Sequence, residues 1–146
     1  RICYTPEYYP TRTEEALLKQ FAHDIISRTK PQQILELGSG NSQKTRHLFE
    51  ACGILANQCN YAPFDVCEEI LLESSLDLKQ EYPWLDIQPL LGDFHAGLGN
   101  LPKNNYRNLF IFLGGSIGNF SPEEAHVFLH EIQQNMEYGD YLLSTR

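Results

Sequence analysis

Apolar positions along the chain change their spacing near Pro31. Before it, Tyr8-Tyr9-Pro10-Thr11-Arg12-Thr13-Glu14-Glu15 leads into Leu17, Leu18, Phe21, Ala22, Ile25 and Ile26, which fall on one helical face. Thr11 or Thr13 is placed to cap this helix, Glu14 and Glu15 suit the positive end of its dipole, and Pro31 stops it. After Pro31 short apolar runs alternate with helical stretches. The run 34–37 precedes a helix over 42–52 that ends near Gly53. The run 60–64 closes on Asp65 and feeds a helix around Ile70, Leu71, Leu72 and Leu76, which Pro83 breaks before a third run over 87–91. A fourth run, 109–113, is apolar on both faces, as a central parallel strand covered by helices should be.

The clearest helix start is Ser121-Pro122-Glu123-Glu124, with a capping serine, proline at the first helical position and glutamate three residues after the cap. Its apolar face is Ala125, Phe128, Leu129, Ile132 and Met136, and Gly139-Asp140 then turns the chain into a fifth strand, Tyr141-Leu142-Leu143. Five strands separated by helices predict an α/β fold, an open, doubly wound, mostly parallel sheet whose ligands lie at the strand carboxyl ends.

Composition narrows this picture. With 146 residues, 42% of them hydrophobic, the chain can bury one core and not two. No apolar run approaches the ~20 residues that span a bilayer, and Arg1-Ile2-Cys3-Tyr4 carries no signal-peptide core, so a cytoplasmic protein without a membrane partner is expected. Cys3, Cys52, Cys59 and Cys67 show no C-x-x-C spacing and read as free thiols. The net charge of −8 repels phosphate backbones and argues against a nucleic-acid partner. The chain lacks a starting Met and stops just after an apolar run, which reads as a fragment. Nothing in it sets an oligomeric state.

The candidate chemistry begins after the first strand, at Glu36-Leu37-Gly38-Ser39-Gly40-Asn41-Ser42-Gln43. Two glycines let backbone approach a ligand closely. The dinucleotide fingerprint needs a third small residue where Gln43 stands, which weakens an NAD reading. S-adenosylmethionine has an adenosine and no pyrophosphate, so it needs the glycine loop and a ribose carboxylate without the phosphate turn. Asp65, closing the second strand, is where such a carboxylate belongs. Lys44 and Arg46 fall in the first turns of the next helix, where a cation opposes the dipole by about 0.3–1 kcal/mol and could meet the cofactor's carboxylate. Gly92-Asp93-Phe94 offers a carboxylate for an adenine amino group and a ring beside the purine. Gly114-Gly115-Ser116-Ile117-Gly118-Asn119-Phe120 brings bare backbone and one amide to the same sheet edge, where Asn119 could orient a substrate. Each piece also has an ordinary reading: glycines make turns, an Asp after a strand caps helices, and an exposed lysine tolerates a small penalty.

Together these residues resemble the histidine-specific S-adenosylmethionine-dependent methyltransferases, which convert histidine to its Nα-trimethyl betaine, hercynine, at the start of ergothioneine biosynthesis. The resemblance spans residues 8–143. It rests on Glu7-Tyr8-Tyr9-Pro10-Thr11-Arg12-Thr13-Glu14, Glu36-Leu37-Gly38-Ser39-Gly40 with Lys44-Thr45-Arg46, Pro63-Phe64-Asp65-Val66, Gly92-Asp93-Phe94 and Ser116-Ile117-Gly118-Asn119-Phe120. It implies a Rossmann-like class I methyltransferase fold, incomplete at its C-terminus. Residues 1–30 would form a substrate-side segment and helix, and residues 31–146 the S-adenosylmethionine-binding core with its first five strands. Gly38, Lys44, Asp65, Asp93 and Phe94 would contact the cofactor, and Tyr8 and Asn119, with Tyr9 in reserve, would hold the amino-acid substrate.

The resemblance implies an enzyme with a small-molecule substrate. Departures at Gly115-Ser116 and Cys67 leave the cofactor site intact, while the segment that recognises the histidine side chain lies beyond this chain. The rival readings are N-methylation of another amino acid, such as a tryptophan derivative, and a cofactor-binding fragment inactive by itself. Transfer to an amine needs no metal, only in-line alignment and loss of a proton, for which no acceptor is identified. His126 and His130 are spaced for zinc, but Val127 stands where a metalloprotease needs glutamate.

Overall fold

A computed structural model describes residues 11–99, 101–113 and 120–144. The elements follow in the order α1 (Thr11–Thr29), β1 (Gln33–Leu37), α2 (Arg46–Ile54), β2 (Asn60–Asp65), α3 (Glu68–Glu81), β3 (Asp86–Ile87), β4 (Leu90–Leu91), a 3-10 turn at Phe94–Ala96, β5 (Asn108–Phe112), α4 (Pro122–Asn135) and β6 (Tyr141–Ser144). The sheet runs β3-β2-β1-β5-β6, β4 pairs with β2 further along the same edge, and every pairing is parallel. The expected doubly wound α/β architecture is therefore present. Its direction of travel reverses between β1 and β5, which puts the crevice of the fold at the carboxyl end of β1.

Alternation along the strands separates two cores. Ile34, Tyr61, Leu109, Ile111 and Leu113 pack with Leu18, Ala22 and Ile26 of α1, Leu48 and Phe49 of α2, and Leu78 of α3. On the other face Leu35, Leu37, Ala62, Phe64, Phe110 and Phe112 pack with Ala125, Phe128 and Ile132 of α4. β1 and β5 are buried at every position, so both faces must be covered and their sequences read as continuous apolar runs. α4 starts as its sequence requires: the Ser121 hydroxyl accepts from the Glu124 N–H at 3.1 Å and the Glu124 carboxylate accepts from the Ser121 N–H at 2.9 Å.

Four sequence expectations need correction. Thr11 and Thr13 both lie inside α1 rather than at its cap. The helix expected from Ser42 starts at Arg46, because Ser42 has φ +59° and a left-handed residue cannot open a right-handed helix. The third apolar run is two short strands, β3 and β4, and the constant register puts Pro89 of the gap opposite Pro63 of β2. Neither proline has an N–H to give a ladder. Cys52 and Cys59 are free as read, Cys67 is disulfide-bonded, and Cys3 lies outside the described residues. Among the described residues no helix is long and apolar enough to cross a membrane.

Candidate functional site at the carboxyl edge of the sheet

Three strand ends, from β1, β2 and β4, meet at one residue, Asp65. Asp65, the last residue of β2, accepts the Gly40 N–H on Oδ2 at 2.7 Å and the N–H groups of Val66 and Cys67 on Oδ1 at 2.7 and 3.3 Å. Its main-chain carbonyl accepts the Gly92 N–H at 3.0 Å, just past β4. The ordinary reading of Asp65 as a helix cap is not met, since Cys67 holds the cap position of α3 and Oδ1 bonds the two N–H groups ahead of the helix. Oδ2 has only Gly40 among the described donors, and a carboxylate oxygen can accept two hydrogen bonds.

Gly38 and Gly40 take φ +78° and +53°, a backbone that glycine adopts at little cost, and this folds residues 38–42 over the end of β1. The Gly38 and Ser39 N–H groups both point to the Phe64 carbonyl, at 2.8 and 3.2 Å. Between the glycines the Ser39 hydroxyl is buried and has no partner among the described residues. A buried hydroxyl left so costs about 1–3 kcal/mol unless something else bonds it.

Lys44 lies in the turn before α2 and not in its first turns. Its Nζ donates to Oε1 of Glu14 at 2.7 Å, so α1 is tied across the glycine loop by an ion pair whose two side chains are largely buried. Arg46 opens α2, where its charge is met by Glu81 at 2.9 Å and by the carbonyls of Asn41 and Ser42 at 3.5 and 3.4 Å. The Arg46 cation therefore has its own local partners at the helix start.

Asp93 is exposed just past β4. The Phe94 ring is half-buried, with ring centroids 5.3 Å from Phe64, 5.6 Å from Phe120 and 5.1 Å from Phe128. Gly92 is tightly constrained, since a Cβ there would stand 2.5 Å from the Phe64 ring. The loop Gly92-Asp93-Phe94 thus lies flat on the end of β2 beside Asp65. Tyr8, Tyr9 and Asn119 lie outside the described residues.

One group was missed in the sequence. Glu36 is buried in β1 under the loop, and its Oε1 accepts from Thr45 at 2.5 Å and from Tyr61 at 2.6 Å. Burial pushes its carboxyl up to about 7, against the opposing pull of both hydroxyls and of Lys44. Tyr61 is raised well above its ordinary value, by burial first and by the neighbouring Glu36 second. The available signal was a lone charge inside an apolar strand. Among the described residues no cluster of His, Cys, Asp and Glu could hold a metal; His130 instead faces Gln134 at 3.3 Å.

These features fit an adenosine-bearing ligand: a carboxylate with spare acceptor capacity, a glycine cradle, an orphaned buried hydroxyl within it, and an aromatic loop alongside. The profile of the family described as histidine-specific methyltransferase, SAM-dependent, matches residues 1–145, and the chain belongs to that family. It is 38% identical over 143 residues to the histidine N-alpha-methyltransferase of Mycolicibacterium smegmatis, covering 98% of this chain and 44% of that protein. It is 31% identical to the 4-dimethylallyltryptophan N-methyltransferase easF of Claviceps purpurea, covering 92% of this chain and 41% of that one. The chain thus spans less than half the length of these relatives. Among solved structures it resembles the SAH-bound methyltransferase PaMTH1 of Podospora anserina, with TM-score 0.61 at 13% identity over 94% of this chain and 56% of that one. That likeness concerns the fold.

Proposed function

We propose that the protein containing this chain transfers methyl groups from S-adenosylmethionine to the α-amino nitrogen of histidine, building the trimethyl betaine used in ergothioneine biosynthesis. The observation that carries the reading is Asp65, whose carboxylate and carbonyl join the Gly38–Gly40 loop to the Gly92–Phe94 loop. Membership in a histidine-specific family and the higher identity to the histidine enzyme than to the tryptophan enzyme favour histidine as acceptor.

When bound, the donor supplies a methyl group already activated on a sulfonium sulfur. The chain's own part is placement. Asp65 accepts from the ribose hydroxyls with its spare Oδ2 capacity, and Gly38 gives backbone access beside it. Asp93 accepts from the adenine amino group while Phe94 covers the ring. Lys44, alongside its ion pair with Glu14, attracts the donor's carboxylate. Residues 1–30 form the acceptor side in this reading, with Tyr8 and Asn119 holding the amino acid, while residues 31–146 hold the donor. Alignment of nitrogen, methyl carbon and sulfur accounts for most of the rate, since such positioning can be worth about 7–11 kcal/mol. The Tyr8 hydroxyl orients the amine or a water.

The test uses the full-length protein. Calorimetry should detect S-adenosylmethionine binding, and mass spectrometry should find mono-, di- and trimethylated histidine with no turnover of 4-dimethylallyltryptophan. Absence of donor binding overturns the reading, and methylation of the tryptophan derivative alone replaces the acceptor.

A further inference from the structure

Ser42 is almost fully buried and holds φ +59°, a left-handed backbone that a side chain disfavours. Its N–H donates to the Ser39 carbonyl at 2.9 Å and so closes the turn 39–42, which contains Gly40 and directly follows Gly38. Its hydroxyl lies 2.8 Å from the Tyr61 hydroxyl. Tyr61 has a single hydroxyl hydrogen, which it donates to Glu36 at 2.6 Å, so Ser42 must be the donor in the first bond. The hydrogens therefore run in one direction, from Ser42 to Tyr61 to Glu36, and Thr45 donates to the same carboxylate oxygen from the other side. The Tyr61 ring is itself fixed edge-on to Phe49 of α2, with centroids 4.8 Å apart. A residue of β2 thus grips the loop that follows β1, at the one position in that loop whose backbone is unfavourable for its side chain.

We propose that the Tyr61 hydroxyl is a positioning group: by accepting from Ser42 it holds that residue's left-handed backbone, and thereby fixes the shape of the Gly38–Gly40 cradle for the methyl donor. The proposal rests on the donor reading of the loop and adds a residue that does not touch the donor. Replacing Tyr61 by Phe removes one oxygen and leaves the packing on Phe49. Ser42 then keeps its strained backbone without its anchor, and the loop relaxes toward forms that do not fit the ligand.

Tyr61→Phe removes both the bond from Ser42 and the bond to Glu36; in the full-length protein loss of the Ser42 anchor should weaken S-adenosylmethionine binding roughly tenfold and raise KM for the donor with kcat within about twofold. Ser42→Ala, which leaves the aromatic packing untouched, should give the same loss should Tyr61→Phe not fold. Placing Ser42→Gly in the Tyr61→Phe background should restore most of the affinity, because glycine adopts this φ without an anchor. A merely structural role for Tyr61 would not be rescued in this way. Unchanged affinity in Tyr61→Phe overturns the proposal, as does failure of Ser42→Gly to restore it. Amide exchange at residues 39–42 reads the same claim without ligand: it should quicken in Tyr61→Phe and slow again in the double variant. If the wild-type protein binds no donor, the functional reading falls while the exchange result still decides whether Tyr61 holds the loop.

Discussion

Two sides of the same strand ends are built in opposite ways. On the face toward α2, β1 and β2 present Glu36 and Tyr61, which join Ser42 and Thr45 in a buried polar network directly beneath the glycine loop. On the face toward α4 the neighbouring positions are Leu37 and Phe64, and the space is filled by Phe94, Phe112, Phe120 and Phe128 in edge-on pairs. Apolar packing is undirected and stabilises in proportion to area, whereas a buried carboxylate is costly and repays only through directed bonds. The phenylalanine side holds the sheet to its helix. The polar side fixes the course of a loop whose shape matters.

The largest expected effect breaks the apolar side. Phe128→Ala removes a ring 4.9 Å from Phe112 and 5.1 Å from Phe94 and should lower stability by about 3–5 kcal/mol, equally at pH 5 and pH 8. Denaturant titration of the full-length protein at both pH values checks it.

The polar side should respond to pH instead. Glu36 is raised from 4.5 to about 7 in the fold, so its contribution is fully present below the unfolded value and is lost as pH rises through 7. The shift corresponds to something on the order of 3 kcal/mol lost across that window. Glu36→Gln keeps an acceptor for Thr45 and Tyr61 but cannot ionise, so its stability relative to wild type should improve from pH 5 to pH 8. Parallel pH profiles for the two proteins would remove Glu36 from the account.

A smaller effect is expected where the two sides meet. Gly92→Ala would push a Cβ to 2.5 Å from the Phe64 ring, which is held by Phe94, and should cost about 1–3 kcal/mol while displacing the Asp93-Phe94 loop. Thermal unfolding and donor affinity should fall together. Smallest is Arg46→Gln, which breaks a partly exposed pair with Glu81 and should change stability by less than about 1 kcal/mol.

The sequence made the frame legible because local patterns determine it. Buried strands such as β1 and β5 read as apolar runs, and the capping box of α4 declared its own start. Asp65 could be singled out because the end of β2 is a local feature of the sequence. What escaped depends on residues distant in the chain. The start of α2 moved to Arg46 because Tyr61, 19 positions away from Ser42, supports a backbone there that no helix accepts. Lys44 could be read as a cation near the loop, but its pairing with Glu14 comes from α1 folding across the site. Glu36 stood in plain view as a charge in an apolar strand, yet its partners became visible only once β2 lay beside β1.

Donor affinity of Asp65→Asn bears most directly on the central claim that this sheet edge holds S-adenosylmethionine. The amide keeps an oxygen for the Val66 and Cys67 N–H groups but replaces the Oδ2 acceptor used by Gly40 with a donor. Calorimetry on the full-length protein should show binding at least about tenfold weaker than wild type, with the unfolding transition shifted by much less. Wild-type affinity in this variant would contradict the account.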